Sequence, residues 1–240
     1  MTTAPTPLQR SASPHRVRWL FVLALVLGVA TVALVLALDD SGSGTADTRI
    51  GSGVTVSDAR SLPAFTGVEL AGSNTLVVRV GGEQAVVVRG DDNLIDLVTT
   101  EVEAGRLVVA EAGSFQTKAP MTVEVTVPSL TALELSGSGL VVVDGLMAEQ
   151  ATIRVPGSGL VRGGGTVDQL VVDVSGSGAA QLGDLEARDV TASLSGSGVI
   201  RVTATRRLDA RVSGTGTVLY GGSPETVTRE VTGTGAIVDQ

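Results

Sequence analysis

The chain has 240 residues, of which 43% are hydrophobic and only 2% are aromatic, so any core must be built from aliphatic side chains. It contains no cysteine and a single histidine, His15, which excludes disulfides, thiolate metal sites and imidazole catalysis in the main body of the chain. The net charge is −8, and the residues after position 38 carry 14 basic and 25 acidic side chains. This balance argues against nucleic acid as a partner.

The first element is an uncharged, apolar run of 20 residues that begins at Trp19 and ends at Leu38. A helix of this length spans about 30 Å, the thickness of the hydrocarbon core of a bilayer. The run is longer than the apolar stretch of a cleavable signal peptide, roughly 7 to 15 residues, so it predicts a retained transmembrane helix. Arginines precede it and aspartates follow it, which predicts that residues 1–18 are a disordered cytoplasmic tail and that the rest of the chain is extracytoplasmic.

Residues 39–60 are rich in Ser, Gly and Asp and predict a flexible stalk, which leaves residues 61–240 as the extracytoplasmic domain. Within this domain, residues 92–103 are the one candidate for a short helix. We expect the first part of the domain to form the first coils of a repetitive structure together with an irregular cap. Its strand candidates are 68–70, 76–80, 85–88, 107–110 and 121–127.

The rest of the chain contains an internal repeat, a Gly-Ser-Gly or Gly-Thr-Gly triplet that recurs at intervals of 18 to 20 residues. Short strands of alternating aliphatic residues flank most triplets, and about seven further residues, such as 145–150, complete the unit as a looser corner. The glycines predict a positive φ angle in at least one residue of each triplet and a sharp bend with no Cβ in the way. These corner glycines are Gly137, Gly139, Gly157, Gly159, Gly176, Gly178, Gly196, Gly198, Gly214, Gly216, Gly233 and Gly235.

A unit of 18 to 20 residues with few inward aliphatic side chains cannot bury a core alone, so successive units must stack on one another. The repeat therefore predicts an all-β parallel β-helix in which each unit is one coil. Equal positions of successive coils would lie about 4.8 Å apart along the axis. An antiparallel meander or a propeller-like repeat is the alternative, although the triplets lack the Asn-Gly or Asp-Gly turns typical of two-residue hairpins.

Residues 60–240 also carry a set of recognisable motifs. They are Phe65-x-x-Val68, Gly90-Asp91-Asp92-Asn93-Leu94, Pro128-x-Leu130, the serial Ser-Gly-Ser-Gly corners, and Tyr220-Gly221-Gly222-Ser223-Pro224. In this combination the chain resembles the head GIN domain family of auto-transporter adhesins. The resemblance implies a right-handed parallel β-helix in a bacterial envelope protein of unassigned activity.

Stacked corners predict a file of hydroxyl groups along one edge of the solenoid, which is a candidate surface for a repetitive ligand such as a glycan. The competing interpretation is a ladder of turns whose hydroxyls satisfy local backbone groups. The six residues of this hydroxyl file are Ser138, Ser158, Ser177, Ser197, Thr215 and Thr234.

The remaining candidates for chemistry have simpler interpretations, so no catalytic, cofactor-binding or metal-binding residue is predicted. Asp91, Asp92 and Asn93 predict a turn held by side-chain hydrogen bonds rather than a cation site. The glycines at 163–165 lack the Lys and following helix of a phosphate loop and predict an ordinary loop. The carboxylates that invite comparison with polysaccharide hydrolases and lyases form no fixed motif; they are Asp144, Asp173, Asp184, Glu186 and Asp189.

The first functional hypothesis is a non-catalytic, extracytoplasmic scaffold or adhesion module, anchored in the bacterial cell membrane and able to bind a glycan or an envelope protein. One alternative is a carbohydrate-active enzyme on a β-helix, and another is a transmembrane sensor with a separate cytoplasmic partner. No cofactor is expected. Little of the sequence is available to cover the strand that follows the last triplet, so we also expect weak self-association through the C-terminal coil.

Overall fold

Strands whose aliphatic and polar residues alternate pack their aliphatic sides together in an all-β domain, a β-solenoid of about five turns. The computed structural model describes residues 48–240. Its strands are β1 (Arg49–Ile50), β2 (Thr55–Arg60), β3 (Gly67–Leu70), β4 (Thr75–Val80), β5 (Ala85–Asp91), β6 (Val98–Glu103), β7 (Arg106–Glu111), β8 (Phe115–Gln116), β9 (Thr122–Val127), β10 (Ala132–Leu135), β11 (Leu140–Val155), β12 (Leu160–Val174), β13 (Ala179–Leu194), β14 (Val199–Gly214), β15 (Thr217–Gly221), β16 (Thr226–Gly233) and β17 (Ala236–Asp239).

The coils of the solenoid have three faces. Face A consists of β3, β10, the last parts of β11 to β14, and β16; face B consists of β4, the first parts of β11 to β14, β15 and β17. Successive coils pair in parallel, so equal positions stack, and on face A the buried Leu133 lies beside Ile153, which lies beside Val172. This parallel pairing confirms the solenoid and excludes the meander and the propeller.

Face C consists of the middle parts of β11 to β14, and it replaces the looser corner that the sequence predicts at 145–150. Leu146 and Ala148 pair in parallel with Gly165 and Val167 of the next coil, after a register shift that follows Val143. The corner prediction was wrong because the register shift leaves only residues 144 and 145 without a partner on β12, and the parallel ladder resumes at Leu146. One long strand therefore passes through faces B, C and A.

The first part of the domain is a coil with a cap beneath it. Strands β3 and β4 form this first coil. On one side of it, β7 pairs with β3 and β9 pairs with β4; on the other side, β10 pairs with β3. Two strands, β5 and β6, pair antiparallel with β9 and β7, and β2 pairs antiparallel with β5. The cap is thus an ordered antiparallel extension of the sheet. In the predicted helix, a 3₁₀ turn covers Ile95–Leu97 alone, and the following residues form β6.

The sheet begins before residue 61, where the sequence analysis ends the stalk. The six residues of β2 pair with β5, and the side chain of Val56 packs against the core. In Thr55–Arg60 the side chains of Val56, Asp58 and Arg60 are partly buried and the other three are exposed. The segment has no aliphatic alternation, so it depends on the partner edge to form a strand.

The predicted transmembrane helix from Trp19 to Leu38 and the cytoplasmic tail lie outside the described residues. Between residues 48 and 240, none of the helical segments has the length and apolar character needed to cross a membrane.

Candidate binding groove

The hydroxyl file lies along the edge between faces A and B. All six side chains are exposed, and the hydroxyl groups of Ser177 and Ser197 lie 3.1 Å apart, at hydrogen-bond distance. A seventh corner precedes them, because the corner of Gly137 stacks directly on Gly72, and Ser73 extends the file. Sequence analysis missed this corner because Asn74 replaces the second glycine of the triplet.

The corner glycines are required by the closeness of the coils. At each of the twelve positions, an added Cβ would lie within 3.0 Å of a backbone carbonyl oxygen of the preceding corner. The expected positive φ angle is found at Gly233 and at none of the other eleven. The prediction of a bend without room for a Cβ was therefore right, whereas the prediction of left-handed backbone was wrong at five of the six triplets.

The five scattered carboxylates separate into different environments. Asp173 and Asp189 lie on face A, Glu186 lies on face C, and Asp144 and Asp184 lie at the bend between faces B and C. Asp189 is engaged by Arg206, whose Nε donates to Oδ1 at 2.8 Å. This hydrogen bond and the charge of Arg206 hold the pKa of Asp189 below its usual value. Its role is therefore structural, whereas Asp144 and Asp184 face a common space.

That common space is a groove of about 640 Å³ that runs along the solenoid axis across β11, β12, β13 and β14. Its volume lies within the range of about 300–1,000 Å³ that is typical of ligand sites. The groove is lined by Val142, Val143, Asp144, Arg162, Gly163, Gly164, Gln181, Gly183, Asp184 and Arg201.

Glycines make the groove concave. Gly163 and Gly164 lie inside β12, at the register shift, so the loop predicted at 163–165 was wrong. Gly164 pairs with Asp184 of the next coil and carries no side chain to fill the space between Asp144 and Asp184. Gly183 is covered by the stem of Arg201, and its carbonyl accepts a hydrogen bond of 2.7 Å from Thr203.

The long side of the groove is a ladder of outward side chains on face B. Val142, Arg162, Gln181 and Arg201 occupy equal positions on four successive coils. Arg162 Nε donates to Gln181 Oε1 at 3.2 Å, and neither arginine forms an ion pair with another residue of the described domain. The ladder therefore offers two guanidinium groups and an amide to solvent.

Sequence analysis missed this ladder, although the sequence contains a signal for it. Arg162, Gln181 and Arg201 each stand three positions after the second glycine of a triplet. Positions with the same offset from a repeated corner must stack in a solenoid. The triplets are the constant residues of the repeat, whereas the groove depends on residues that vary from one unit to the next.

The predicted turn at Asp91, Asp92 and Asn93 holds the segment that precedes β2 by hydrogen bonds, and we call this arrangement the N-terminal clasp. The fully buried Asp91 accepts hydrogen bonds from the backbone N–H groups of Gly53, Lys118 and Ala119 at 2.6–3.1 Å. Burial opposes its ionisation, but the three N–H donors outweigh burial and hold the pKa of Asp91 below its usual value. Asn93 holds Ile50 and Ser52 through two hydrogen bonds of 2.9 Å. Within residues 48–240, no three His, Cys, Asp or Glu side chains gather to hold a metal ion.

A family model described as "Putative auto-transporter adhesin, head GIN domain" matches residues 64–224. The chain belongs to this head GIN domain family. The match covers β3 to β15, and with them all the long strands and the groove, and thus confirms the resemblance carried by the sequence motifs. No curated protein sequence matches the chain.

Solved structures share the head GIN fold with this chain. A putative adhesin from Bacteroides fragilis is 21% identical, with a TM-score of 0.67 over 80% of this chain and 99% of that chain. A putative lipid binding protein from Parabacteroides distasonis is 21% identical, with a TM-score of 0.52 over 81% and 100% of the two chains. A putative adhesin from Parabacteroides merdae is 16% identical, with a TM-score of 0.50 over the same shares. At these identities the comparisons show a common fold.

Proposed function

We propose that this head GIN protein is a non-catalytic binding module of the bacterial envelope, and that the axial groove of β11 to β14 is where it binds an elongated glycan. The groove is the observation that carries the proposal, because four successive coils each contribute a side chain to one continuous, concave and polar surface. The adhesin description of the family supports an exposed location and a binding role.

The groove is a better candidate than the hydroxyl file. The hydroxyls lie fully exposed on a corner edge, and Ser177 and Ser197 can satisfy each other. The depression beside Ser73, Ser138 and Ser158 is smaller, about 350 Å³, and no charged side chain lines it, so a ligand there would gain fewer strong contacts. In the groove, by contrast, a ligand meets charged donors and charged acceptors on two sides at once, which strengthens each hydrogen bond.

Occlusion of the groove tests this proposal. A Cβ on Gly164 would make ordinary contacts of 3.5–3.6 Å with Asp184, so Gly164→Tyr fills the groove without displacing the backbone. The matched control is Gly221→Tyr, because a Cβ on Gly221 meets nothing within 4 Å and the residue lies outside the groove. Binding of the full-length chain to a panel of cell-wall and capsular polysaccharides should be lost in Gly164→Tyr and kept in Gly221→Tyr. Equal binding by both variants would overturn the groove as the site.

One observation favours a second candidate, a polysaccharide hydrolase. Asp144 and Asp184 face the groove from coils two steps apart, about 9–10 Å along the axis. Inverting glycosidases hold their two carboxyl groups roughly 6.5–9.5 Å apart. Both aspartates are exposed, whereas the general acid of a glycosidase lies in an apolar pocket. We therefore rank binding first. If the protein shortens a bound polysaccharide and Asp184→Asn abolishes this cleavage, the order is reversed.

We also propose that the helix from Trp19 to Leu38 anchors the module, with the groove outside the cytoplasm. The charge pattern around the apolar run supports this orientation. Protease added to intact cells should then remove the domain and leave a membrane-bound fragment of residues 1 to about 45. A soluble mature chain that begins near Asp47 would show instead that the run is a cleaved signal.

A further inference from the structure

We infer that the groove selects a polyanionic polysaccharide in which a carboxylate recurs on every second sugar. The inference rests on the proposed function and names the class of ligand. It follows from the spacing, the orientation and the unpaired state of Arg162 and Arg201, and from the side chains that lie between and opposite them.

The two arginines are spaced by two coils. They occupy the same position of the ladder on β12 and β14, and Gln181 on β13 separates them. Neighbouring coils lie about 4.8 Å apart, so the backbone positions of the two arginines repeat at about 9–10 Å along the axis, and both side chains contact β13 between them. One coil advances the solenoid by about as much as one sugar advances an extended glycan. A ligand aligned with the axis would therefore present one sugar to each coil and every second sugar to an arginine.

Both arginines are held in place by the neighbouring coil. The Nε of Arg162 is occupied by Gln181, and the stem of Arg201 lies over the bare backbone of Gly183, with its Cδ 3.2 Å from the point where a Cβ would stand. The terminal nitrogens of Arg162 remain available. A guanidinium fixed in this way can donate two parallel hydrogen bonds to a carboxylate with little further loss of side-chain entropy.

Neither arginine has an anionic partner inside the domain, although the domain is acidic. Residues 48–240 carry 14 basic and 22 acidic side chains, and seven arginines outside the groove form ion pairs. Asp144 and Asp184 line the same groove and still do not pair with Arg162 or Arg201. The two arginines of the groove are therefore two of the seven basic residues of the described domain that form no ion pair, and both are open to a ligand.

The rest of the lining sets the register of that ligand. The amide of Gln181 suits a neutral sugar between two acidic ones, and the carboxylates of Asp144 and Asp184 can accept hydrogen bonds from sugar hydroxyls while they repel acidic groups. No aromatic residue is among the side chains that line the groove, so a neutral glycan would find no ring to stack on. Charge-assisted hydrogen bonds from Arg162 and Arg201 must then supply most of the affinity, which favours a glycan whose acidic groups meet these two residues and avoid Asp144 and Asp184.

The test uses the full-length chain in mild detergent with three probes: a hyaluronan decasaccharide, which carries a carboxylate on every second sugar; the same decasaccharide with its carboxyl groups reduced to alcohols; and a decamer of polygalacturonate, which carries one on every sugar. We expect the first probe to bind at least tenfold more tightly than the other two. Arg162→Gln and Arg201→Gln should each weaken its binding about tenfold, and Arg154→Gln, on an exposed face-A position without an ion pair in the described domain, should leave it unchanged.

A gain-of-function variant reads the spacing directly. Gln181→Arg places arginines on three successive coils and should shift the preference from hyaluronan to polygalacturonate. Binding that is equal for intact and carboxyl-reduced hyaluronan, or insensitive to both arginine substitutions, would overturn the inference. If Gly164→Tyr still abolishes polysaccharide binding in that case, the proposed function stands and the class of ligand is wrong. If Gly164→Tyr has no effect on any polysaccharide, the proposed function fails as well.

Discussion

The two ends of the solenoid are finished in different ways. At the N-terminal end, the outer edges of β7 and β9 pair with the antiparallel strands β6 and β5. At the C-terminal end, the outer edges of β16 and β17 pair with no other strand of the described domain. There the inward positions of the ladder change character, because Arg229 and Asp239 occupy places that Ala210 and Tyr220 occupy one coil earlier.

The direction of the chain explains part of this difference. At the corners, hydrogen bonds run from each coil to the preceding one, as from the N–H of Gly159 to the carbonyl of Gly137. The first corner is therefore left with free donors, and the carboxylate of Glu111 accepts hydrogen bonds from the N–H groups of Ser73 and Asn74 at 2.7 and 3.1 Å. The last corner is left with free carbonyls instead. Acidic side chains therefore suit the N-terminal end, and cationic side chains suit the C-terminal end. Arg229 is such a cation: it donates a hydrogen bond to the Tyr220 hydroxyl and lies 5.1 Å from the centroid of the Tyr220 ring.

The largest effect is expected in the middle of the stack, where a corner has neighbours on both sides. Gly176→Val forces a β-branched side chain against the carbonyl of Gly157. An average substitution lowers the free energy of unfolding by about 1 kcal/mol, and we expect this one to lower it by considerably more. Gly235→Val meets the carbonyl of Gly216 in the last coil, which can move away, so its loss should be smaller. Thermal unfolding followed by circular dichroism measures both, and equal losses would contradict the distinction between the interior and the end.

The next effect is expected at the N-terminal clasp. Asp91→Asn removes the charge that three backbone N–H groups share and should lower the melting temperature at neutral pH, whereas Asp173→Asn, at an exposed position, should change it little. The pKa of Asp91 is lower in the folded chain than the ordinary value of 3.8, so its contribution is present above that pH and is lost as the pH falls through the folded pKa. The gap between wild type and Asp91→Asn should accordingly close in acid. A gap independent of pH would show that the charge of Asp91 is not the cause.

A smaller effect is expected at the first corner. Glu111→Gln weakens the hydrogen bonds that the carboxylate accepts from the backbone of Ser73 and Asn74, at a cost of about 1–2 kcal/mol. Glu103→Gln is the control, because Glu103 is an exposed residue at the end of β6. Urea unfolding of the two variants should show a lower midpoint for Glu111→Gln alone. Equal midpoints would mean that water caps the first corner as well as Glu111 does.

The middle of the molecule was far more predictable than its ends, and the reason is physical. A stacked coil repeats the same contacts, so the Gly-Ser-Gly spacing is sufficient to predict parallel coils and exposed hydroxyls at Ser138 and its equivalents. The cap depends on pairing between residues distant in sequence, such as β2 with β5, and on single side chains such as Glu111 whose partners no local pattern indicates. The groove was unpredicted for a related reason. It exists because Gly164 lacks a side chain between Asp144 and Asp184, and that juxtaposition depends on a register shift.

The smallest effect concerns the C-terminal end, where the sequence predicts weak self-association. Val231 and Val238 are 46% and 44% exposed there, and Ile237 is partly buried beside the outer edge of β17. Two copies that meet through their C-terminal ends form an isologous contact, which closes as a dimer and does not propagate into a fibre. Arg229 and Asp239 at the inward positions oppose it by keeping part of the end polar.

We therefore expect residues 48–240 to dimerise only at high protein concentration, and sedimentation would detect the dimer. Ile237→Lys should abolish it, and Met147→Lys, at a position 77% exposed on face C, should not. A wild-type domain that stays monomeric at every concentration would mean that Arg229 and Asp239 are sufficient to close the end.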